Sequence, residues 1–361
     1  MGEGLLRKVF SHFRNKVAYL LSTGFTTPQL VYLKITSQCN FRCQHCDIWR
    51  ADSTEELPLE DWKKIITKIK SNVPHLTVVL SGGEPLLYKN FWQLIDFCKQ
   101  EKVEVNLNTN GSLITEENIE RLLKYPFNKI SVSLYSLNSE LHNSFRNVPN
   151  AFEKAYAGLI KMAEKRAEIS SPTEIVVAFL LNSKNIEELP SFVKHFSEKN
   201  IAVSIQALDT NVQPMTDRQE FETKELISTN SLWPKDKAKT KKVFDELLEL
   251  KNSGYKIYNR KDSLEVMGKY YLEKFDELKK LPCFAGQNNL IVSAEGNVFF
   301  CFDGPMIGNL ITDSWETVWR GKRAKEIRKA TKHCKSLCRI MNCNFQSSLS
   351  QKIIEKMKKM Y

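Results

Sequence analysis

The stretch LVYLKITSQCNFRCQHCDIW, residues 30–49, joins a short hydrophobic strand pattern to three closely spaced cysteines in the pattern Cys39-x3-Cys43-x2-Cys46. Three thiols so close together must share one tight loop, where their thiolates can bind a single metal centre. Structural zinc needs a fourth ligand and prefers paired two-residue spacings. A cluster of four irons held by three thiolates keeps one iron open for another ligand. The spacing therefore favours an iron–sulfur cluster, with a zinc loop as the alternative.

Strand and helix patterns alternate along the chain on both sides of this segment. We predict strands at Leu30–Thr36, Leu76–Leu80, Val103–Leu107, Lys129–Leu134, Glu174–Leu181 and Ile201–Ala207. Helices are predicted at Leu59–Asn72, Phe91–Lys102, Thr115–Lys124, Ala151–Lys165, Asn185–Lys199, Lys235–Asn252 and Ser263–Lys280. Hydrophobic strands separated by helices indicate a parallel sheet buried on both faces. Six such units predict an α/β fold, a partial (β/α)6 TIM-like barrel.

A glycine-rich segment, SGGEP at residues 81–85, follows the second predicted strand. Gly82 and Gly83 allow the backbone to approach a ligand closely, and the Glu84 carboxylate can accept hydrogen bonds from an ammonium group. Taken alone, Gly-Gly-Glu would be an ordinary turn. Its position after a cysteine loop and a second strand makes this combination a more specific signal for a ligand-binding segment than Gly-Gly-Glu alone.

With these two motifs the chain resembles the radical S-adenosylmethionine (radical SAM) superfamily. The resemblance implies that Cys39, Cys43 and Cys46 bind a 4Fe–4S cluster and that the SGGEP segment, including Pro85, binds the amino group of the methionine moiety. It further implies that the open iron chelates the cofactor, whose reductive cleavage yields a 5′-deoxyadenosyl radical that abstracts hydrogen from a substrate. A flavodoxin or ferredoxin would be the reducing partner.

Two later segments extend the resemblance. Ser133, in KISVSLYSL, matches the serine of the family's Ser-Leu-Asp-Gly segment and is expected to contact the cofactor. Tyr135 and Ser136 replace the Asp and Gly, which leaves the role of the missing acid open. Arg146, in LHNSFRN, resembles the arginine of the family's His-x3-Arg segment, although Asn147 stands where glycine is usual. We expect Arg146 to bind the cofactor carboxylate, with a surface ion pair as the alternative.

Three more residues are candidates for the cofactor pocket. His45 occupies the family's aromatic position near the adenine, where we expect packing rather than acid–base chemistry. Asn108 and Asn110, in NLNTNG, end the third predicted strand and are expected to line the pocket, although Asn-Gly is also a common turn.

A second group of cysteines resembles the SPASM and twitch auxiliary-cluster domains. Its members are Cys283, Cys301, Cys334, Cys338 and Cys343. The segment LIVSAEGNVFFC reads as the hairpin of such domains, with its turn around Gly296. A full SPASM domain has seven cysteines and two clusters, so five favour a small α+β twitch-like domain with one auxiliary 4Fe–4S cluster. Four thiolates would complete the ligation of this cluster, so one of the five cysteines would be spare. Cys283 and Cys301 are the ligands that we expect first. Zinc is the alternative metal.

The expected organisation has five parts. These are a basic amphipathic helix (1–24), the barrel (25–208), a linker or lid with helices (209–282), the auxiliary-cluster domain (283–345) and a basic C-terminal helix (346–361). The ninth cysteine, Cys98, lies on an apolar helical face and is predicted to be a core thiol.

Composition narrows the functional class. The 361 residues are 42% hydrophobic and 26% charged, which is typical of a globular enzyme and excludes collagen-like or disordered chains. An odd cysteine count and the absence of a signal-peptide core indicate reduced thiols and a cytoplasmic enzyme. The net charge of +11 suggests anionic partners. A zinc-stabilised nucleic-acid-binding protein is disfavoured, because aromatic-plus-basic platforms are missing and SGGEP stays unexplained.

Three substrate classes remain open. The first is a small metabolite such as a sugar, aminocyclitol or tetrapyrrole, and the second is a peptide. About 30 residues precede the barrel. This is fewer than the leader-binding domain of many peptide maturases needs, so a peptide substrate is disfavoured but stays open. The third is a lipid or isoprenoid, since the basic amphipathic ends can also contact an anionic membrane peripherally.

Overall fold

The computed structural model describes residues 17–50, 56–125, 127–208, 227, 230–302 and 304–334. The strands are β1 (Leu30–Thr36), β2 (Thr77–Gly82), β3 (Glu104–Thr109), β4 (Phe127–Ser133), β5 (Glu174–Leu181), β6 (Ala202–Ala207), β7 (Asn289–Val292), β8 (Asn297–Phe299) and β9 (Gly308–Asn309). The helices between β1 and β6 are α1 (Leu59–Lys70), α2 (Phe91–Gln100), α3 (Glu116–Lys124), α4 (Ser139–Arg146), α5 (Ala151–Glu168) and α6 (Leu189–Glu198). The later helices are α7 (Lys237–Asn252), α8 (Lys261–Tyr271), α9 (Phe275–Leu278), α10 (Trp315–Arg320) and α11 (Lys322–Lys332).

The strands form one nine-stranded sheet in the order β6-β5-β4-β3-β2-β1-β7-β8-β9. Neighbouring strands from β1 to β6 are parallel and are joined by helical crossovers. This topology confirms the expected α/β fold with a parallel, barrel-like sheet. It also brings the carboxyl ends of β1 to β4, and the loops that follow them, to one edge of the sheet.

One face of the sheet is hydrophobic because it packs against the helices. Val31, Leu33 and Ile35 of β1 are fully buried in the same cluster as Trp62 and Ile65 of α1. Strand β5, EIVVAFLL, is buried at every position except the first. The expectation of a sheet buried on both faces therefore fits β5, whereas in β1 the residues between Val31, Leu33 and Ile35 are only partly buried on the other face.

The opposite, inner face of the sheet is largely polar. Its strand residues alternate with those of the hydrophobic face, and the register places Lys34 beside Ser81, and Asn108 beside Ser131. The polar residues on this face include Lys34, Ser81, Asn106, Asn108, Ser131, Ser133, Ser204 and Gln206. The inside of the barrel thus offers amide and hydroxyl groups.

Two helical segments differ from the sequence-based expectation. Helix α4 was not predicted; it begins after Asn138, whose side-chain oxygen accepts a hydrogen bond from the Leu141 N–H. The single helix expected over Ser263–Lys280 is two helices, α8 and α9, separated at Glu273, whose φ of 59° is left-handed.

The cysteine-rich C-terminal region continues the barrel sheet. Strand β7 pairs in parallel with β1, with Leu30 opposite Asn289, and antiparallel with β8. The predicted hairpin is confirmed, and Gly296 in its turn has a φ of 84°. The expected boundary near residue 282 is therefore not a break in the sheet.

The predicted terminal helices fall mostly outside the described residues. Residues 17–21 are helical, whereas 1–16, the C-terminal segment 346–361 and most of the linker at 209–229 are not described. Within the described part of the chain, no helix combines the length and apolar character needed to cross a membrane.

Truncation of Ile65 tests the packing of α1 on the sheet. Ile65→Ala should lower the free energy of unfolding by about 2–5 kcal/mol, because the side chain is fully buried and its removal leaves a cavity. Urea unfolding followed by circular dichroism measures the change. Thr67→Ala, at an exposed position of the same helix, is the control, and equal effects of the two substitutions would contradict the packing described.

Candidate cluster and cofactor site

A cavity of about 160 Å³ opens at the carboxyl ends of β1 to β4. It is lined by Cys39, Phe41, Cys43, His45, Cys46, Ile48, Trp49, Ser81, Gly82, Gly83, Asn108, Thr109, Asn110, Ser133, Tyr135 and Arg146. The structure thus brings together segments that are more than 100 residues apart in the sequence. All three cysteines of the first motif meet the glycine-rich segment, Asn108, Ser133 and Arg146 there.

The cysteine loop is anchored by helix α4. The backbone N–H groups of Arg42 and Gln44 donate to the carbonyl oxygens of Arg146 and Phe145, at 3.2 and 3.0 Å. On the other side of the loop, the Asn110 side-chain amide donates to Asn40 Oδ1 at 2.8 Å. The loop is therefore held between the helix after β4 and the end of β3, which orients its thiols towards the cavity.

The two glycines of SGGEP permit a close approach between two parts of the backbone. The Gly83 N–H donates to the Thr36 carbonyl oxygen at 2.8 Å, and the Glu84 N–H donates to that of Gln38 at the same distance. A Cβ at Gly83 would lie 2.0 Å from the Gln38 oxygen, and Gly82 has a φ of 120°. The sequence led us to expect close approach to a ligand; the structure shows that the glycines first of all let SGGEP pair with the cysteine loop.

Glu84 is buried beneath the cavity. One of its oxygens accepts hydrogen bonds from Leu86 N and Thr109 Oγ1, at 3.1 and 2.8 Å, and the other from Asn110 N at 2.7 Å. Burial raises the pKa of this carboxyl, and these donors and Arg146 oppose the rise. The carboxylate thus ties the SGGEP segment to the end of β3. Its expected contact with an ammonium group stays a prediction. Pro85 is buried at the start of a short 3-10 helix and does not line the cavity.

Arg146 is a buried cation at the edge of the cavity, with 4% of its surface exposed. Its Nη2 donates to the Ser133 carbonyl oxygen at 2.9 Å, and its Nη1 lies 3.5 Å from Cys43 Sγ. Nε has no partner among the described residues. The alternative to cofactor binding, a surface ion pair, is therefore not what this buried side chain forms. Asn147, next in the chain, has a left-handed conformation that asparagine tolerates, which explains how it replaces a glycine.

Tyr135 lies between Arg146 and two histidines. Its ring centroid is 4.0 Å from the guanidinium carbon, and its hydroxyl is 3.3 Å from His45 Nε2. Its backbone N–H donates to His142 Nδ1 at 3.1 Å. Burial and the charge of Arg146 lower the pKa of both His45 and His142 to about 3, so both rings are neutral.

The donor set suits a cluster. Burial raises the pKa of the Cys39 and Cys46 thiols, and the neighbouring cysteines raise it further. Metal binding requires the thiolate form, so iron and the Arg146 cation together would offset the charge that the fold brings to this loop. Within the described ranges, no three His, Cys, Asp or Glu side chains are grouped as ligands of a single ion. In a cluster each thiolate binds a separate iron, so the thiols stand further apart than around one shared ion.

Family models match both cysteine regions. Residues 33–196 match the radical SAM superfamily, and residues 283–344 match an iron–sulfur cluster-binding domain, SPASM. The chain belongs to the radical SAM superfamily. A 4Fe–4S cluster and S-adenosylmethionine are therefore cofactors of this enzyme, and its C-terminal domain is of the auxiliary-cluster type.

Relatives of this radical SAM chain include enzymes with different products. It is 27% identical over 320 residues to an AdoMet-dependent heme synthase of Methanosarcina barkeri, covering 84% of each chain. It is 24% identical to the subtilosin biosynthesis protein AlbA of Bacillus subtilis, covering 87% of this chain and 65% of that protein. The fold resembles that of Streptococcus suis SuiB bound to S-adenosylmethionine, with a TM-score of 0.63, 18% identity, and coverage of 93% and 77% of the two chains.

The second cysteine group is partly described. Cys283 is buried just before β7, Cys301 is partly exposed just after β8, and Cys334 follows α11. Cys338 and Cys343 lie outside the described residues. Cys98 is fully buried in the core cluster, where burial raises its pKa to about 12, in agreement with a core thiol.

Several cavity residues were not singled out as ligands from the sequence. Phe41, Ile48, Trp49 and Thr109 line the cavity, and Trp49 Nε1 donates to the Cys43 carbonyl oxygen at 3.1 Å. Their nearness to the cysteines and to the end of β3 was the available signal. Tyr135 was noted only as a departure from the family pattern.

Substitution of Gly83 tests the contact between SGGEP and the cysteine loop. Gly83→Ala should lower both the iron bound at the first motif and the affinity for S-adenosylmethionine, because the new Cβ collides with the Gln38 carbonyl oxygen. Iron analysis and equilibrium dialysis measure the two losses. Gly254→Ala is the control, since it strains a left-handed backbone (φ 89°) but its Cβ meets no atom within 4 Å, so it should cost stability without lowering the iron content; equal iron contents in the two variants would refute the steric argument.

His142 should make folding sensitive to acid. Its pKa is about 3 when folded and about 6.5 when unfolded, so the unfolded state binds more protons between these values. The stability it contributes is complete above pH ~6.5 and declines below that, by at most about 1.4 kcal/mol per pH unit. Urea unfolding at pH 5 to 7 should show a shallower decline for His142→Gln. Parallel curves for the two proteins would contradict this.

Proposed function

We propose that the three thiolates of Cys39, Cys43 and Cys46 hold the SAM-binding cluster, and that the enzyme abstracts a hydrogen atom from a polar substrate on the inner face of the barrel. The observation that carries this proposal is the shared cavity, onto which the three thiols and the backbone of Gly82 and Gly83 both open. When bound, the reduced cluster and S-adenosylmethionine supply the 5′-deoxyadenosyl radical.

The residues around the cavity divide the binding of S-adenosylmethionine among them. The backbone at Gly82 and Gly83, with Asn108, is placed to receive the methionine moiety. Arg146 keeps one unpartnered donor, Nε, for its carboxylate. Ser133 lines the same wall, and the His45 ring is placed to pack on the adenine.

The polar inner face favours a substrate with hydrogen-bonding groups over a lipid or isoprenoid. Asn106 is 8% exposed, and its Oδ1 has no partner in the described part of the protein. A buried acceptor without a donor costs free energy, which a substrate N–H or O–H would recover. A peptide supplies such donors along its backbone, and the similarity to AlbA agrees with that class.

The auxiliary cluster is proposed to handle electrons. We assign it to four of Cys283, Cys301, Cys334, Cys338 and Cys343. Full thiolate ligation leaves no iron open to a substrate, so acceptance of an electron from the substrate radical is the favoured role. The +11 charge suits an acidic electron carrier such as a flavodoxin or ferredoxin as the reducing partner.

A second proposal concerns peripheral membrane contact near the N-terminus. Leu20 and Leu21, which end the helical residues 17–21, are 61% and 63% exposed. Exposed leucines beside basic residues can insert into an anionic lipid surface. Removal of the first 22 residues should lower co-sedimentation with vesicles of phosphatidylglycerol; unchanged co-sedimentation would dispose of this contact.

Replacement of the first cysteine group tests the cluster assignment. Anaerobically reconstituted enzyme should bind about eight irons in two four-iron clusters, and the triple change Cys39→Ala, Cys43→Ala, Cys46→Ala should remove about half of them. The variant should also stop releasing 5′-deoxyadenosine under dithionite. Cys98→Ala, which removes a core thiol, is the matched control and should keep its iron. Zinc in place of iron, or full iron in the triple variant, would defeat the assignment.

Fractionated cell extract tests the substrate class. The reduced enzyme is incubated with S-adenosylmethionine and a peptide, polar-metabolite or lipid fraction, and 5′-deoxyadenosine is measured. We expect acceleration by the peptide fraction or, failing that, by the polar-metabolite fraction. Acceleration by the lipid fraction alone would refute the argument from the polar inner face.

A further inference from the structure

We propose that Tyr135 is a positioning residue that holds the Arg146 guanidinium against the Cys43 thiolate, so that Arg146 stabilises the reduced state of the SAM-binding cluster. The inference rests on the proposed assignment of that cluster to Cys39, Cys43 and Cys46. Arg146 would then have two roles. It would contact the cofactor, and it would control how readily the cluster accepts an electron.

Arg146 brings a positive charge to the edge of the cavity. This side chain is buried, and within the described ranges it forms no ion pair with a carboxylate. Glu84 is the nearby acid, but its oxygens are occupied by Thr109 and by backbone N–H groups. A buried cation is costly unless an anion faces it. The group that faces Nη1 is Cys43 Sγ, at 3.5 Å.

Three contacts fix the position of Tyr135 itself. Its backbone N–H donates to His142 Nδ1, and its carbonyl oxygen accepts from Asn185 Nδ2 at 2.8 Å. Its hydroxyl contacts His45 Nε2. Held at both ends, the ring presents its face to the guanidinium carbon at 4.0 Å, a distance typical of a cation–π contact.

A tyrosine at position 135 affects the charge of Arg146 differently from an acidic residue. A carboxylate at position 135 would pair with Arg146 and neutralise it. The aromatic face attracts the guanidinium through its quadrupole but leaves the full positive charge in place. With Nη2 held by the Ser133 carbonyl oxygen and the guanidinium packed on the ring, Nη1 is the donor that faces the thiolate. The charge therefore acts on the cluster ligand.

The consequence concerns reduction. A cation and an N–H···S hydrogen bond at a cysteine ligand stabilise the state with one more electron, which raises the reduction potential of the cluster. The step adds one electron from a low-potential donor, dithionite in the test below, and forms or breaks no covalent bond. Loss of the Tyr135 ring should therefore make the cluster harder to reduce.

The experiment uses the full, reconstituted chain and a redox titration followed by electron paramagnetic resonance. The signal that changes when S-adenosylmethionine is added identifies the SAM-binding cluster. At the wild-type midpoint potential, Tyr135→Leu and Arg146→Gln should each lower the ratio of reduced to oxidised cluster about tenfold, which corresponds to about 59 mV for a one-electron couple. Tyr135→Phe keeps the aromatic face and should retain the wild-type potential.

A control and three outcomes decide the proposal. Tyr156→Leu removes a partly buried tyrosine outside the cavity and should not move the potential. An unchanged potential in either Tyr135→Leu or Arg146→Gln, with iron retained, overturns the proposal, as does a loss of affinity for S-adenosylmethionine without any shift in potential. If Tyr135→Leu fails to bind iron, Tyr135→Met, which also lacks the aromatic face, takes its place.

This failure is distinct from failure of the proposed function. The proposed function fails when the wild-type enzyme releases no 5′-deoxyadenosine or when the triple cysteine variant keeps all its iron. The role of Tyr135 and Arg146 fails in a different case. There the wild-type enzyme releases 5′-deoxyadenosine and the triple cysteine variant loses its iron, but the reduction potentials of the Tyr135 and Arg146 variants stay unchanged.

Discussion

The site depends on the contact between the cysteine loop and the glycine-rich segment. Two backbone hydrogen bonds join Thr36 and Gln38 to Gly83 and Glu84 at 2.8 Å, and they extend the pairing of β1 and β2 beyond the ends of the strands. The two backbone segments approach so closely that a Cβ at Gly82 or Gly83 would overlap a carbonyl oxygen. Without this contact, the thiols and the segment opposite them would not share one cavity.

Buried charge is the second constraint on the site. Arg146 and Glu84 are both almost inaccessible, yet they do not pair with each other by hydrogen bonds. Glu84 is satisfied by donors from β3 and its own loop, and Arg146 by a carbonyl oxygen, an aromatic face and a thiol. The fold can hold these two charges because each has a separate set of partners. This separation leaves the positive charge of Arg146 beside the Cys43 thiol.

Much of the site was predictable because it depends on local chemistry. Cysteine spacing, a Gly-Gly-Glu segment and the order of hydrophobic strands identified the cluster loop, the second loop and the parallel sheet. The actual role of Glu84 was not predictable, because its donors at Thr109 and Asn110 come from the next strand. Nor was helix α4 predicted, since the short segment Ser139–Arg146 has few hydrophobic residues and depends on a cap at Asn138 and on packing.

The sequence by itself determined the class of chemistry, because three thiols within eight residues after a strand can do little except bind a shared metal centre. The tertiary structure alone decided how that centre is surrounded. It placed β7 of the C-terminal region beside β1, so that both cysteine regions share one sheet. It also placed Tyr135 against Arg146 and His45. The reason is physical: such contacts join residues far apart in the chain, and only the folded sheet fixes their distances.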